Sequence, residues 1–135
     1  MKRKVLRLKQ GKFSVLKGRD VLEVHEPGQD RKQMIEAYLR GNYTNPNLSA
    51  EMLAKRMNLS IRHMNRIVSG FYGVTFYQLL TEIRMEAAKE LLLKGTMTVK
   101  EVALEVGYES STGFFVAFKK RYGITPGEFC EKELQ

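Results

Sequence analysis

The stretch Phe71-Tyr72-Gly73-Val74-Thr75 returns fifty residues later as Arg121-Tyr122-Gly123-Ile124-Thr125, and the fold of the whole chain follows from that return. Ser60 and Ser110 are separated by the same interval. Upstream of the serines the interval is one shorter, Ala54 answering to Ala103 and Asn58 to Gly107, so one residue has been gained just after the turn. Each alanine precedes its turn residue by four positions. That spacing suits two helices that cross closely: the first needs a small residue at the contact, and the turn needs a residue that tolerates the left-handed region. A single Ala-x3-Gly is commonplace. Two of them, in register with repeated flanks, describe a duplicated helix-turn-helix.

The surrounding sequence is helical. From Asp30 onward Met34, Ile35, Tyr38 and Leu39 fall at helical spacing, and Gly41-Asn42 with Pro46 ends the run. Ser49 is placed to cap a helix carrying Met52, Leu53 and Met57. Ser60 is placed to cap another, with Ile61, Met64, Ile67, Val68 and Phe71 on its buried side. Thr75-Phe76-Tyr77-Gln78 and Thr98-Val99-Lys100-Glu101 have the form of capping boxes. The first opens a helix to about Lys94, stopped by Gly95, with Leu79, Leu80, Ile83, Ala87, Leu91 and Leu92 as its core face; the second opens a helix ending at Gly107. Further helices run from about Ser110 to Tyr122 and after Thr125-Pro126. Gly73 and Gly123 each follow a tyrosine at a helix end, where positive φ is often required.

The expected fold is therefore all-α. Seven helices form two helix-turn-helix subdomains, 29–73 and 96–133, joined by a long connecting helix at 74–95. About 20 residues of helix measure roughly 30 Å, close to the roughly 34 Å turn of B-form DNA. A stiff spacer of that length suits two recognition helices in successive major grooves.

Residues 1–28 differ in character. Lys2, Arg3, Lys4, Arg7, Lys9 and Lys12 all precede the first acidic residue, Asp20, and make a basic N-terminal arm. β-like stretches at 4–9, 13–16 and 21–25, around Gly11 and Lys17-Gly18-Arg19-Asp20, admit a short N-terminal β-hairpin. A tail adding affinity for a polyanion and a solvated strand edge are equally open readings of this arm.

The chain has 135 residues, 43% apolar and 28% charged, a globular composition. Its 23 Lys plus Arg against 15 Asp plus Glu give a formal charge of +8, which favours a polyanionic partner because neutralising phosphates releases condensed counterions. Charge alone does not separate DNA from RNA or an anionic membrane. Cys130 is the single cysteine and reads as passive, His25 has no constellation around it, and no Cys/His spacing suits zinc. Neither a metal nor any other cofactor is expected. No apolar run is long enough to span a bilayer, and the charged N-terminus is no signal-peptide core, so the expectation is a cytoplasmic protein without a membrane partner. With no nucleophile–base pair, no paired carboxylates and no phosphate-cradling glycine loop, an enzyme is not expected.

Four runs carry a resemblance. They are Leu48-Ser49-Ala50-Glu51-Met52-Leu53-Ala54, Ile83-Arg84-Met85-Glu86-Ala87-Ala88-Lys89-Glu90-Leu91-Leu92, Val102-Ala103-Leu104-Glu105-Val106-Gly107-Tyr108 and Phe118-Lys119-Lys120-Arg121-Tyr122-Gly123-Ile124-Thr125-Pro126. Together they resemble the DNA-binding domain of the AraC/XylS-type transcription regulators, over about residues 30–130. The resemblance implies two helix-turn-helix subdomains and promoter binding that usually activates transcription. Double-stranded DNA is then the partner, with RNA polymerase as a second candidate. Many members carry an effector-binding or dimerisation domain upstream, and residues 1–28 cannot hold a complete one. The chain is thus expected to be a stand-alone short member or the output domain of a longer regulator, with no small-molecule ligand of its own.

Arg62, Asn65, Arg66 and Ser69 lie at positions that share one outward helical face. Arg pairs bidentately with guanine and Asn with adenine; the resemblance implies that Arg62, His63, Asn65 and Arg66 stand over the usual base-contacting positions. In the second unit the base-reading candidates are Ser111, Thr112, Phe115 and Val116, with Lys119 on the same face and Phe114, Ala117, Phe118 and Tyr122 toward the core. Relatives commonly place polar or basic residues where Gly113, Phe115 and Val116 stand. Weak apolar readout through thymine methyls together with anchoring on the backbone is the expected use of this face, with cover by a partner protein or another domain as the alternative. Phosphate contacts fall to the helix starts at Ser60 and Ser110 and to Lys119, Lys120 and Arg121, although basic residues near a helix end also suit its dipole. Arg84, among apolar residues, is expected to tie its helix to a neighbouring subdomain through a carboxylate or carbonyl. The main alternative is a protein-interaction module on the same scaffold. RNA ranks third, since the A-form major groove does not admit a recognition helix.

Overall fold

A computed structural model of the chain describes residues 29–133, so the basic arm and the hairpin expected at 1–28 lie outside the described residues. Among the described residues there are seven helices and no strand: α1 Gln29–Asn42, α2 Ala50–Arg56, α3 Ile61–Tyr72, α4 Phe76–Lys94, α5 Val99–Glu105, α6 Ser111–Tyr122 and α7 Pro126–Glu133. They group into two compact units. The first holds 29–42 and Leu48–Glu82, the second Tyr43–Asn47 and 83–133. The helix expected to connect two subdomains at 74–95 is shared between them, Phe76–Glu82 going to the first unit and Ile83–Lys94 to the second.

In the first unit α2, α3 and α4 each start where a side chain satisfies an amide that has no partner in the first turn. The Ser49 hydroxyl accepts from Met52 N at 3.3 Å, and the Ser60 hydroxyl from His63 N at 3.1 Å. Thr75 and Gln78 complete a reciprocal box at the start of α4. Between α2 and α3 the chain turns through Asn58 at φ 60°. Leu59 N donates to Ala54 O and Asn58 N to Lys55 O, the paired bonds of a left-handed helix stop. The core is Ile35, Leu39, Leu48, Leu53, Ala54, Met64, Val68, Tyr72, Phe76, Leu79 and Leu80. Ile61, expected on the buried side of α3, is 40% exposed, and Phe71 is half-buried. Ile61 opens the helix ahead of its packed turns, and Tyr72 takes the inner place beside Val68.

The second unit repeats this plan. The Thr98–Glu101 box opens α5. Its turn passes through Gly107 at φ 101°, with Tyr108 N bonded to Ala103 O and Gly107 N to Leu104 O, the same pair of bonds one copy later. The core comprises Met85, Ala88, Leu92, Val102, Ala103, Val106, Phe114, Phe118 and Phe129. Phe118 is its hub, with ring centroids at 5.7 Å from Phe114, 4.7 Å from Tyr122 and 5.6 Å from Phe129.

The duplication reaches beyond the helix-turn-helix. Thr125 and Glu128 form a capping box fifty residues after Thr75 and Gln78, so α7 answers to the first half of α4. Tyr72 donates its hydroxyl proton to Glu36 Oε2 at 2.9 Å, and Tyr122 reaches Glu86 Oε1 at a longer 3.5 Å. Each unit is therefore a four-helix repeat: α1, α2, α3 and early α4, then late α4, α5, α6 and α7.

Arg84 is buried in the second unit. Its Nε and Nη2 donate to the carbonyls of Tyr43 and Asn45, both at 2.8 Å, and its guanidinium lies 5.5 Å from the centre of the Tyr108 ring. The bonds are to carbonyls, one of the two acceptor types expected. The loop Tyr43–Asn47 that supplies them groups with the unit of Arg84 itself, although it precedes α2 in the chain.

Candidate nucleic-acid interface

The helix after each turn has one face in the core and one in solvent. On α3, Met64, Val68 and Tyr72 are buried while Arg62, Arg66 and Ser69 are exposed and Asn65 is half-buried. His63 is also half-buried, and its amide is held by the Ser60 cap. The first unit therefore offers Arg62, Arg66 and Ser69 outward, with Asn65 and His63 partly covered at the edge of that face.

On α6, Phe114 and Phe118 are buried, and Thr112, Gly113, Phe115, Val116, Lys119 and Lys120 are exposed. Ser111 and Ala117 are half-buried. The expected division of this helix into two faces holds, including the outward position of two apolar side chains. Arg121, expected against phosphate, is half-buried with its guanidinium 4.9 Å from the centre of the Tyr122 ring. Lys119 and Lys120 are the outward cations of its last turn.

The two helix starts differ. Ser60 spends its hydroxyl on capping α3, whereas Ser110, in extended conformation ahead of α6, makes no side-chain cap bond.

Charge separates these two helices from the other five. Neither Ile61–Tyr72 nor Ser111–Tyr122 contains a carboxylate, while every other helix carries at least one. An acid-free outward face with exposed Arg or Lys is compatible with close approach to a polyanion, because no like charge opposes the phosphates. The sequence held this pattern, readable only once the helix bounds are known.

Among the described residues, no group of three or more His, Cys, Asp or Glu side chains is placed to hold a metal ion, and no helix is long and apolar enough to cross a membrane. Burial pushes the Cys130 thiol above its ordinary pKa, away from the thiolate that nucleophilic chemistry needs.

A family model for the helix-turn-helix domain matches residues 53–132. The chain is 30% identical over 103 residues to AdaA of Bacillus subtilis (strain 168), a bifunctional transcriptional activator and DNA repair enzyme, covering 76% of this chain and 48% of that protein. It spans about half of AdaA and smaller shares of the other curated relatives it matches most strongly. Among solved structures it is similar to the C-terminal domain of the two-component response regulator yesN from Fusobacterium nucleatum subsp. nucleatum ATCC 25586. The TM-score is 0.73 at 31% identity, over 75% of this chain and 98% of that one. The DNA-binding domain of AdpA, a global transcriptional factor solved in complex with a target DNA, shares the fold with a TM-score of 0.70 at 23% identity, over 80% of this chain and 93% of that one. With its duplicated turns, its two acid-free helices and these relatives, the chain belongs to the AraC/XylS-type family of helix-turn-helix proteins.

Proposed function

We infer that this chain is a sequence-specific, double-stranded DNA-binding unit of a bacterial transcription regulator, with α3 and α6 each entering a major groove. The observation that carries this is the pair of carboxylate-free helices, each following a duplicated turn and each presenting exposed cations. Arg62, Asn65, Arg66 and Ser69, with His63 beside them, read base edges from α3; Ser111, Thr112, Phe115 and Val116 face the bases from α6. The helix starts at Ser60 and Ser110, with Lys119, Lys120 and Arg121, hold phosphates.

Finer proposals rest on the relatives. AdaA is an activator as well as a repair enzyme, and we assign this chain the activating role, with RNA polymerase as a further partner. We assign it no catalysis, no small-molecule ligand within the chain, and work in the cytoplasm, where the duplex is.

The test is duplex binding against salt. If Lys and Arg neutralise phosphates, log K falls linearly with log salt, with a slope of about −0.9 per phosphate contact. Lys119→Ala then lowers affinity about equally on all sequences and reduces that slope by about 1. Binding that ignores salt, or a protein partner with no duplex binding, overturns the reading in favour of an interaction module.

A further inference from the structure

The two acid-free helices offer different chemistry. From α3 the outward groups are Arg62, Arg66 and Ser69; from α6 the most central outward groups are Phe115, 42% exposed, and Val116, 64% exposed. A single apolar side chain on a surface needs no explanation. These two are adjacent, stand on the helix that follows a turn, and have Lys119 and Lys120 exposed one turn further on, with no carboxylate anywhere on the helix. An apolar spot next to unopposed cations is complementary to apolar groups lying between anions. The floor of a major groove is such a surface, and the apolar group its base edges offer is the C5-methyl of thymine.

The alternative placements on DNA are costly. Neither Phe115 nor Val116 can bond to the N7, O6, N6 or N4 groups of the other bases, so setting them there strips water from donors and acceptors and returns nothing. Over a methyl the same side chains bury apolar surface on both partners. Resting on the DNA-binding reading above, we propose that α6 selects pyrimidine C5-methyl groups through Phe115 and Val116. Its subsite takes thymine, discriminates against uracil, and accepts 5-methylcytosine better than cytosine. The second unit is then a reader of methyl positions, while the first reads hydrogen-bonding edges.

Removing one buried methyl is worth roughly three- to fivefold in affinity. The experiment uses the full chain and a duplex selected by it from a random-sequence library. That duplex is remade with deoxyuridine in place of thymidine, one position at a time and throughout. Affinity falls roughly three- to fivefold at one or two positions. Changing those T·A pairs to C·G weakens binding too, and methylating the new cytosines at C5 recovers part of the loss. The Phe115→Ser/Val116→Ser variant, both changes being at exposed positions, binds the parent duplex more weakly and no longer distinguishes thymine from uracil. Its helix content and thermal unfolding are checked alongside.

Full affinity on the all-uracil duplex overturns the proposal, as does an undiminished response to uracil in the double variant or no gain on cytosine methylation. Failure to prefer any duplex over another is a separate result, which removes the DNA-binding reading itself.

Discussion

Gly107 shows how one residue answers to a partner far away in sequence. A Cβ built there would lie 2.5 Å from Tyr43 O and 2.8 Å from Arg84 Nε, and the φ of 101° is itself unfavourable for any other residue. The equivalent residue of the first turn, Asn58, is exposed and has φ 60°, which asparagine tolerates. Gly107→Ala is expected to cost roughly 1–3 kcal/mol in urea unfolding, from backbone strain and the displaced guanidinium. Asn58→Gly changes the midpoint little. On the functional face, Arg66→Ala lowers affinity for the preferred duplex by roughly 1–3 kcal/mol and relaxes selectivity there, in parallel titrations on specific and random DNA. An equal loss on both would place Arg66 on phosphate alone. The turn residues were legible in the sequence because their constraint is local. The burial of Glu36, the acceptors of Arg84 and the exposure of Ile61 were not, since each depends on elements that the chain brings in from elsewhere.

At the scale of the helix, most starts and stops could be read from the sequence because capping needs only three or four consecutive residues. Ser49, Ser60, Thr75 and Thr98 all perform the bonds that their spacing suggests. Ser110 does not, although it stands fifty residues after Ser60. The duplicated pair therefore separates experimentally. Ser60→Ala is expected to lower stability by about 1 kcal/mol, and Ser110→Ala to leave the thermal midpoint nearly unchanged, both followed by circular dichroism. The outward face of α6 was also legible, since its helical period assigns Phe114 and Phe118 inward and Phe115 and Val116 outward. What α6 does with that face is a matter of partner chemistry, and no period encodes it.

Glu36 bears on the stability of the molecule as a whole. Burial raises its pKa above the ordinary glutamate value, outweighing the Tyr72 hydroxyl and the charges of Lys32 and Arg40, which pull it down. At a pH between the ordinary glutamate value and the raised one, the folded chain holds a proton that the unfolded chain has released. This contribution is fully present below the ordinary value and is lost as pH rises through the folded one. Glu36→Gln is accordingly expected to gain in stability over the native chain as pH rises from about 4 to 7, measured by urea midpoints; a constant difference across that range would place the group outside the linkage.

The loop Tyr43–Asn47 sits between two stretches of the first unit yet holds Arg84 of the second. Modularity has been lost in this way from a chain built by copying. A truncated gene product beginning at α4 would retain every helix of the later copy but lose the five-residue clasp, and with it both carbonyl acceptors of the Arg84 guanidinium. The copies remain visible as twins, but surgery along the chain cannot part them.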